Sequence, residues 1–266
     1  MANAQPSELG ILLRQWRGRR GKSQLDLSLD TGVSQRHISF IESGRSIPSR
    51  PTLMGLAQSL EVPLRERNAL LIASGYAPVY GENAWNDTQM QSIHKALERM
   101  LRQHEPFAAV VMDRHWNVLT SNQAAPRFFG LFTNMEARPK PRNLLELMFD
   151  PHGMRPFIAN WETTAASLVQ RVHREAVGRV IDLQTQALLG RLLGYDDVPN
   201  EWATLPATRD LPFVPMSFAH EGRVLNYFSM ITTVGTPQTI AAEELRVECL
   251  FPADDETEAR HLELMA

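Results

Sequence analysis

The segment Ser23-Gln-Leu-Asp-Leu-Ser-Leu-Asp-Thr-Gly-Val-Ser-Gln-Arg-His-Ile-Ser-Phe-Ile-Glu-Ser-Gly-Arg45 decides the reading of the N-terminal part of the chain. It has the pattern of two short helices about a tight turn. Leu27, Val33, Ile38 and Ile41 are spaced to meet in one small core between them. Gly32 stands where the chain must reverse, a task suited to a residue that accepts positive φ, and Ser34 offers a hydroxyl to cap the second helix. Gln35, Arg36, His37, Ser39 and Phe40 are then left facing outward. Gln and Arg can make paired hydrogen bonds to base edges, and an apolar group can touch a thymine methyl. Phe40 has two uses open to it, reading such a methyl or packing against the next helix. A segment of this kind is expected to lie in the major groove of double-stranded DNA.

Working outward, the 266 residues leave room for two modest domains. The net charge of −3 is unevenly spread. Residues 1–78 carry 10 Lys and Arg against 6 Asp and Glu, a net of +4, and the remainder carries 17 against 24, a net of −7. Arg14, Arg17, Arg19, Arg20 and Lys22 supply much of the positive end, which suits attraction to phosphate. A single cysteine, Cys249, excludes an internal disulfide framework. With no apolar leader and no apolar run of spanning length, a soluble cytoplasmic protein without membrane contact is expected.

Two more helices follow the motif. Pro51–Leu60 places Leu53, Leu56, Ala57 and Leu60 on one stripe, and residues 64–74 end on Gly75. The division expected is therefore a five-helix domain over 1–78, a linker over 79–92 rich in turn formers, and a second domain over 93–266. The second domain opens with a helix from about Met90 to His104. Phe107–Met112 and Trp116–Ser121 read as a β-hairpin about Asp113-Arg-His115, followed by a short helical stretch ending on Gly130. Residues 143–193 are mostly helical in pattern. Three strands close the reading: one through Val214, Met216 and Phe218, one over Val224–Val234, and one over Leu245–Phe251. In the last, Leu245, Val247, Cys249 and Phe251 are expected on the apolar face, with Arg246 and Glu248 opposite. The economical assembly is an α+β domain with a five-stranded antiparallel sheet.

Residues 9–60 resemble the XRE class of helix-turn-helix domains, which includes phage repressor and Cro domains. In that class the Gln opening the first helix and a basic residue past the recognition helix hold phosphates, roles the resemblance gives to Gln24 and Arg45. The ending Glu42-Ser-Gly-Arg45 matches as well, whereas Phe40 departs from the usual polar residue. The candidate DNA contacts are thus Gln24, Ser34, Gln35, Arg36, His37, Ser39, Phe40 and Arg45. The stretch Val111-Met-Asp-Arg-His-Trp-Asn-Val-Leu-Thr-Ser-Asn-Gln-Ala-Ala-Pro-Arg-Phe-Phe-Gly130 looks like the opening of a PAS domain. Together with the join at Pro63–Pro78 and the ending Gly235-Thr-Pro-Gln through Asp254, it makes residues 5–258 resemble the MmyB-like transcription regulators of the MltR type. That resemblance implies a PAS-like ligand-binding domain associated with fatty-acid binding.

The residues themselves add large flexible apolar side chains able to line a cavity: Met112, Phe128, Phe129, Leu144, Met148, Phe157, Trp161, Leu168, Phe228 and Met230. Each would equally suit an ordinary core. Arg155 is the candidate to grip a carboxylate through two hydrogen bonds, or else a surface arginine beside a proline. No cofactor is expected, a fatty acid entering only as a ligand. Catalytic motifs and metal-ligand spacings are missing from the sequence, so no enzyme is expected. Cys249 reads as a small hydrophobe. The expectation is a one-component regulator acting as a homodimer. The alternative is a DNA-binding adaptor whose second domain serves only dimerisation or protein interaction.

Overall fold

The computed structural model describes residues 7–82, 85, 87–178, 182–204, 213 and 216–266. The chain forms two compact units that divide after Glu82, with Pro237–Glu243 counted in the first. Val214 and Pro215 of the expected strand, and residues 83, 84 and 86 of the expected linker, lie outside the described residues.

The first unit is all helix: α1 (Glu8–Arg19), α2 (Gln24–Thr31), α3 (Gln35–Glu42), α4 (Arg50–Ser59) and α5 (Leu64–Ala73). Serines start four of them. Ser7, Ser23, Ser34 and Ser49 each accept a backbone N–H of the first turn, which would otherwise lack a partner. At Ser23 the cap is reciprocal, because Asp26 accepts the Ser23 N–H at 2.8 Å. Leu13, Trp16, Leu27, Ile38, Ile41, Leu53, Leu56 and Leu70 are buried together, with Val33 packed at the margin. Each such aliphatic side chain contributes about 1.5–3 kcal/mol. Close packing of α1 on the end of α3 requires Gly10, since a Cβ there would collide with the Glu42 carbonyl oxygen.

The second unit contains α6 (Gln91–Gln103), β1 (Ala109–Met112), β2 (Val118–Ser121), α7 (Ala124–Gly130), α8 (Leu144–Phe149), α9 (Trp161–Gly178), α10 (Leu183–Leu193), β3 (Met216–His220), β4 (Arg223–Thr232), β5 (Arg246–Pro252) and α12 (Asp255–Met265), while α11 (Ile240–Glu244), between β4 and β5 in the chain, falls within the first unit up to Glu243. The five strands form one antiparallel sheet in the order β2-β1-β5-β4-β3. One face carries Val110, Met112, Leu225, Tyr227, Met216, Phe218 and Leu250, which close a core with α7, α8, α9 and α10.

Two corrections arise here. Residues that pair across the sheet share a face. Glu248 pairs with Val110, and Cys249 pairs with Ala109 and Met230. Glu248 therefore points into the main core, and Cys249 with Phe251 lies on the opposite face, the reverse of the alternation expected for β5. The chain also ends in α12, not in strands. Asp254 caps that helix through the Thr257 N–H at 2.7 Å, and His261 from it meets the Tyr227 hydroxyl at 2.8 Å.

Candidate nucleic-acid interface and ligand cavity

Gly32 takes φ of +69° and ends α2, turning the chain into Ser34 and α3. On α3, Ile38, Ile41 and Glu42 are buried, and Gln35 and Arg36 are exposed. Ser39 and Phe40, one turn further along, are half-buried, as is His37, which lies 3.4 Å from the Ser46 hydroxyl. The Ser34 hydroxyl accepts the His37 N–H, so its visible task is the helix cap.

Phe40 is half-buried, and its ring meets two cations. Its ring centroid lies 5.3 Å from the Arg36 guanidinium and 4.7 Å from that of Arg45. Both cations are drawn to the negative ring face, so Phe40 orders a basic pair on the exposed edge of α3. Arg45 also donates to the Ser43 hydroxyl at 2.9 Å.

Gln24 is engaged internally. Its side-chain amide donates to Glu42 at 2.9 Å, and Arg17 donates to the same carboxylate through Nε at 2.7 Å and Nη2 at 3.0 Å. Glu42 is only 1% exposed. Burial would push its carboxyl up, yet the hydrogen bonds from Arg17 and Gln24, with the charges of Arg17 and Arg14, hold it below the usual carboxylate range. This clamp joins α1, α2 and α3. In the sequence Glu42 stands out only as part of the Glu42-Ser-Gly-Arg45 ending. An acidic residue among the apolar positions of α3, with arginines upstream, was the signal for the clamp.

The basic cluster is also largely structural. Arg17 donates to the Lys22 carbonyl, Arg20 to the Leu60 and Glu61 carbonyls, and Lys22 to Asp30 and the Ser59 carbonyl. Phosphate attraction therefore falls less on these residues than their charge alone suggests.

In the second unit, a cavity of about 20 Å³ lies beneath the sheet, lined by Ala108, Val110, Phe129, Leu144, Met148, Met154, Met216, Phe218, Glu248 and Leu250. A solvent-open groove of about 280 Å³ shares Val110, Phe129 and Leu144 with it and continues past Ser121, Met135, Glu136, Arg142 and Asn143. Of the expected ligand residues, Phe129, Leu144 and Met148 come together on these walls. Met112 and Phe128 belong to the adjoining core, and Phe157, Trp161 and Leu168 pack half-buried against it.

Three expected ligand residues do not join them. Phe228 pairs with Phe251, and Met230, 58% exposed, pairs with Cys249; both lie on the far face of the sheet. Period-two alternation separates two faces without saying which is inward. Arg155 is held away by an ion pair with Asp197 and by the rings of Trp161 and Tyr195, at 4.7 and 5.6 Å from its guanidinium. The cation on the groove is Arg142, whose Nε and Nη2 donate to the Met135 carbonyl at 3.1 and 2.8 Å. Nothing in the sequence distinguished it from Arg155. Glu248 and Val110 were equally missed as cavity residues.

Comparison with known proteins bears on both units. Residues 93–264 match the family model described as MmyB-like transcription regulator ligand binding domain. Residues 13–67 match the model described as helix-turn-helix. No curated protein matches the chain. Among solved structures, the chain is similar to one titled as an RNA-binding light-oxygen-voltage receptor, at 13% identity and a TM-score of 0.28. That match covers 97% of this chain and 61% of the other, so this chain spans about 61% of that structure's length. Among the described residues, no helix is long and apolar enough to cross a membrane.

Proposed function

Because the chain belongs to the MmyB-like transcription regulators, we propose that it regulates transcription as a homodimer whose second domain takes up a small apolar ligand of the fatty-acid class. That it is a DNA-binding regulator with a ligand-binding domain follows from the two family matches. The ligand class rests chiefly on one observation. The groove and the cavity share Val110, Phe129 and Leu144, so a rotation of Phe129 or Leu144 would join an open apolar slot to a chamber under the sheet. A groove of about 280 Å³ stands near the lower end of ligand pockets. Arg142 would meet a carboxylate at the open end, against the opposing charge of Glu136.

Residues Gln35, Arg36, Ser39 and Phe40 would face the major groove, with Arg45 on phosphate. Cytoplasmic residence is part of the same proposal.

Organic extraction of purified protein, with native mass spectrometry before and after, tests the ligand. The expected result is release of an aliphatic acid and rebinding of added dodecanoic acid, weakened by Arg142→Ala. Failure of any acyl probe to bind the stripped protein would leave the adaptor reading, which the small volume of about 20 Å³ favours.

A further inference from the structure

Glu248 is an unusual residue to find on the wall of an apolar chamber. It is 6% exposed, and among the described residues lining the cavity it alone brings a polar side chain. Ser229 of β4 favours the charged form of its carboxyl. The second oxygen, Oε2, has no hydrogen-bond partner among the described residues. A buried oxygen left in this state is destabilising, a cost that invites a function.

The charged groups around Glu248 come from α9. Arg171 attracts its carboxylate form and Glu175 repels it. Arg171 is itself engaged, stacked 4.2 Å from the Trp116 ring and paired with Glu175 at 3.5 Å, and Arg246 lies 3.7 Å from Glu175. Burial outweighs the help from Arg171 and Ser229, so the carboxyl is pushed above its ordinary range.

Size narrows the chemistry. A volume of about 20 Å³ admits one water-sized polar group. A free water needs two to four polar partners, and this wall supplies one. A hydroxyl carried on an aliphatic chain has the right size, can donate to the unpartnered Oε2 of Glu248, and lets its chain satisfy the apolar wall. A carboxylate or an ammonium brings more bulk and a full charge into a dry site.

We propose that Glu248 is a specificity residue, and that the preferred ligand is an aliphatic chain bearing a hydroxyl that docks on Glu248 beneath the sheet. This deepens the acyl-ligand reading above and rests on it.

The test compares dodecanoic acid with ω-hydroxydodecanoic acid by calorimetry on stripped full-length protein. These probes share the carboxylate and chain and differ in one hydroxyl. Wild type is expected to bind the hydroxy acid about tenfold more tightly, the worth of one hydrogen bond in a dry site. Glu248→Leu should abolish or invert that preference while still binding dodecanoic acid, and Glu248→Gln, which retains hydrogen-bonding capacity, should keep most of it. Equal binding of the two acids by wild type, or a preference that survives in Glu248→Leu, overturns the proposal and leaves the acyl reading standing. If neither acid binds wild type, both readings fall together.

Discussion

Glu42 and Glu248 are both shut off from solvent, at 1% and 6% exposure, and their surroundings drive them in opposite directions. Around Glu42 the donors of Arg17 and Gln24 overcome burial and keep the carboxylate ionised. Its value in the fold lies below the one of about 4.3 that an unfolded chain gives a glutamate. The stabilisation is therefore full above the ordinary carboxylate range and is lost as pH falls through the depressed value. Glu42→Gln should lower the urea midpoint at pH 7, and its gap to wild type should close on acidification toward pH 3. A gap that stays constant with pH would mean that the charge contributes nothing. Phe40 poses a second question at this scale, because one ring orders both Arg36 and Arg45. Arg36→Ala should relax base preference at a cost of about 1–3 kcal/mol. Arg45→Ala should weaken all sequences alike and flatten the salt dependence. Phe40→Leu, which removes the ring face but keeps an apolar side chain, should show a diluted form of both effects in fluorescence titrations with cognate and scrambled duplexes. A variant that loses affinity only where thymine meets position 40 would instead give Phe40 the methyl-reading role.

Elements differ in how openly the sequence declares them. α3 was legible because its start (Ser34), its turn (Gly32) and its buried stripe (Ile38, Ile41) are set by local chemistry that needs no partner. β5 was legible as a strand but not in its facing. The apolar residues Val247, Cys249 and Phe251 suggested one inward side, while Glu248 and Leu250 occupy the core. A polar residue placed in a core for a reason of its own defeats any argument from hydrophobic alternation. The cavity walls come from five elements and from loops, so Met154 and Met216 could not be joined to Phe129 by spacing alone. α12 was overlooked although its signals are present: Asp254 as cap, acids at Asp255, Glu256 and Glu258 in the first turn, and Thr257, His261 and Met265 buried on one stripe. Asp254 also accepts from the Asn226 side chain of β4 at 3.2 Å, tying the helix start to the sheet. Asp254→Ala should cost about 0.5–2 kcal/mol in chemical denaturation, with the loss shared by the whole second unit because His261 anchors on Tyr227. A biphasic melt, in which α12 alone loosens, would show that the helix is an appendage to the sheet and not part of its core.

At the scale of the whole molecule, the question is what couples the two units. One recognition helix reads only a few base pairs, so useful affinity calls for two copies on half-sites about one helical turn apart. Several basic residues of α1 and the turn after it are spent on carbonyls and carboxylates within the fold. With these side chains engaged inside the fold, the two α3 helices of the proposed homodimer would carry more of the directed phosphate and base contacts. A ligand can alter that affinity only by its differential affinity for DNA-competent and DNA-incompetent dimers. Thermodynamic linkage then makes the effect reciprocal. With a duplex selected from a random library by stripped protein, the factor by which saturating ω-hydroxydodecanoic acid changes operator affinity should equal the factor by which saturating operator changes affinity for that acid. The size expected for such coupling is about 5–150-fold. The same acid on Glu248→Leu should give a smaller factor, because less binding free energy is then available to shift the dimer. Equal affinities in all four corners of the cycle would show that the chamber does not report to the DNA, whatever it binds.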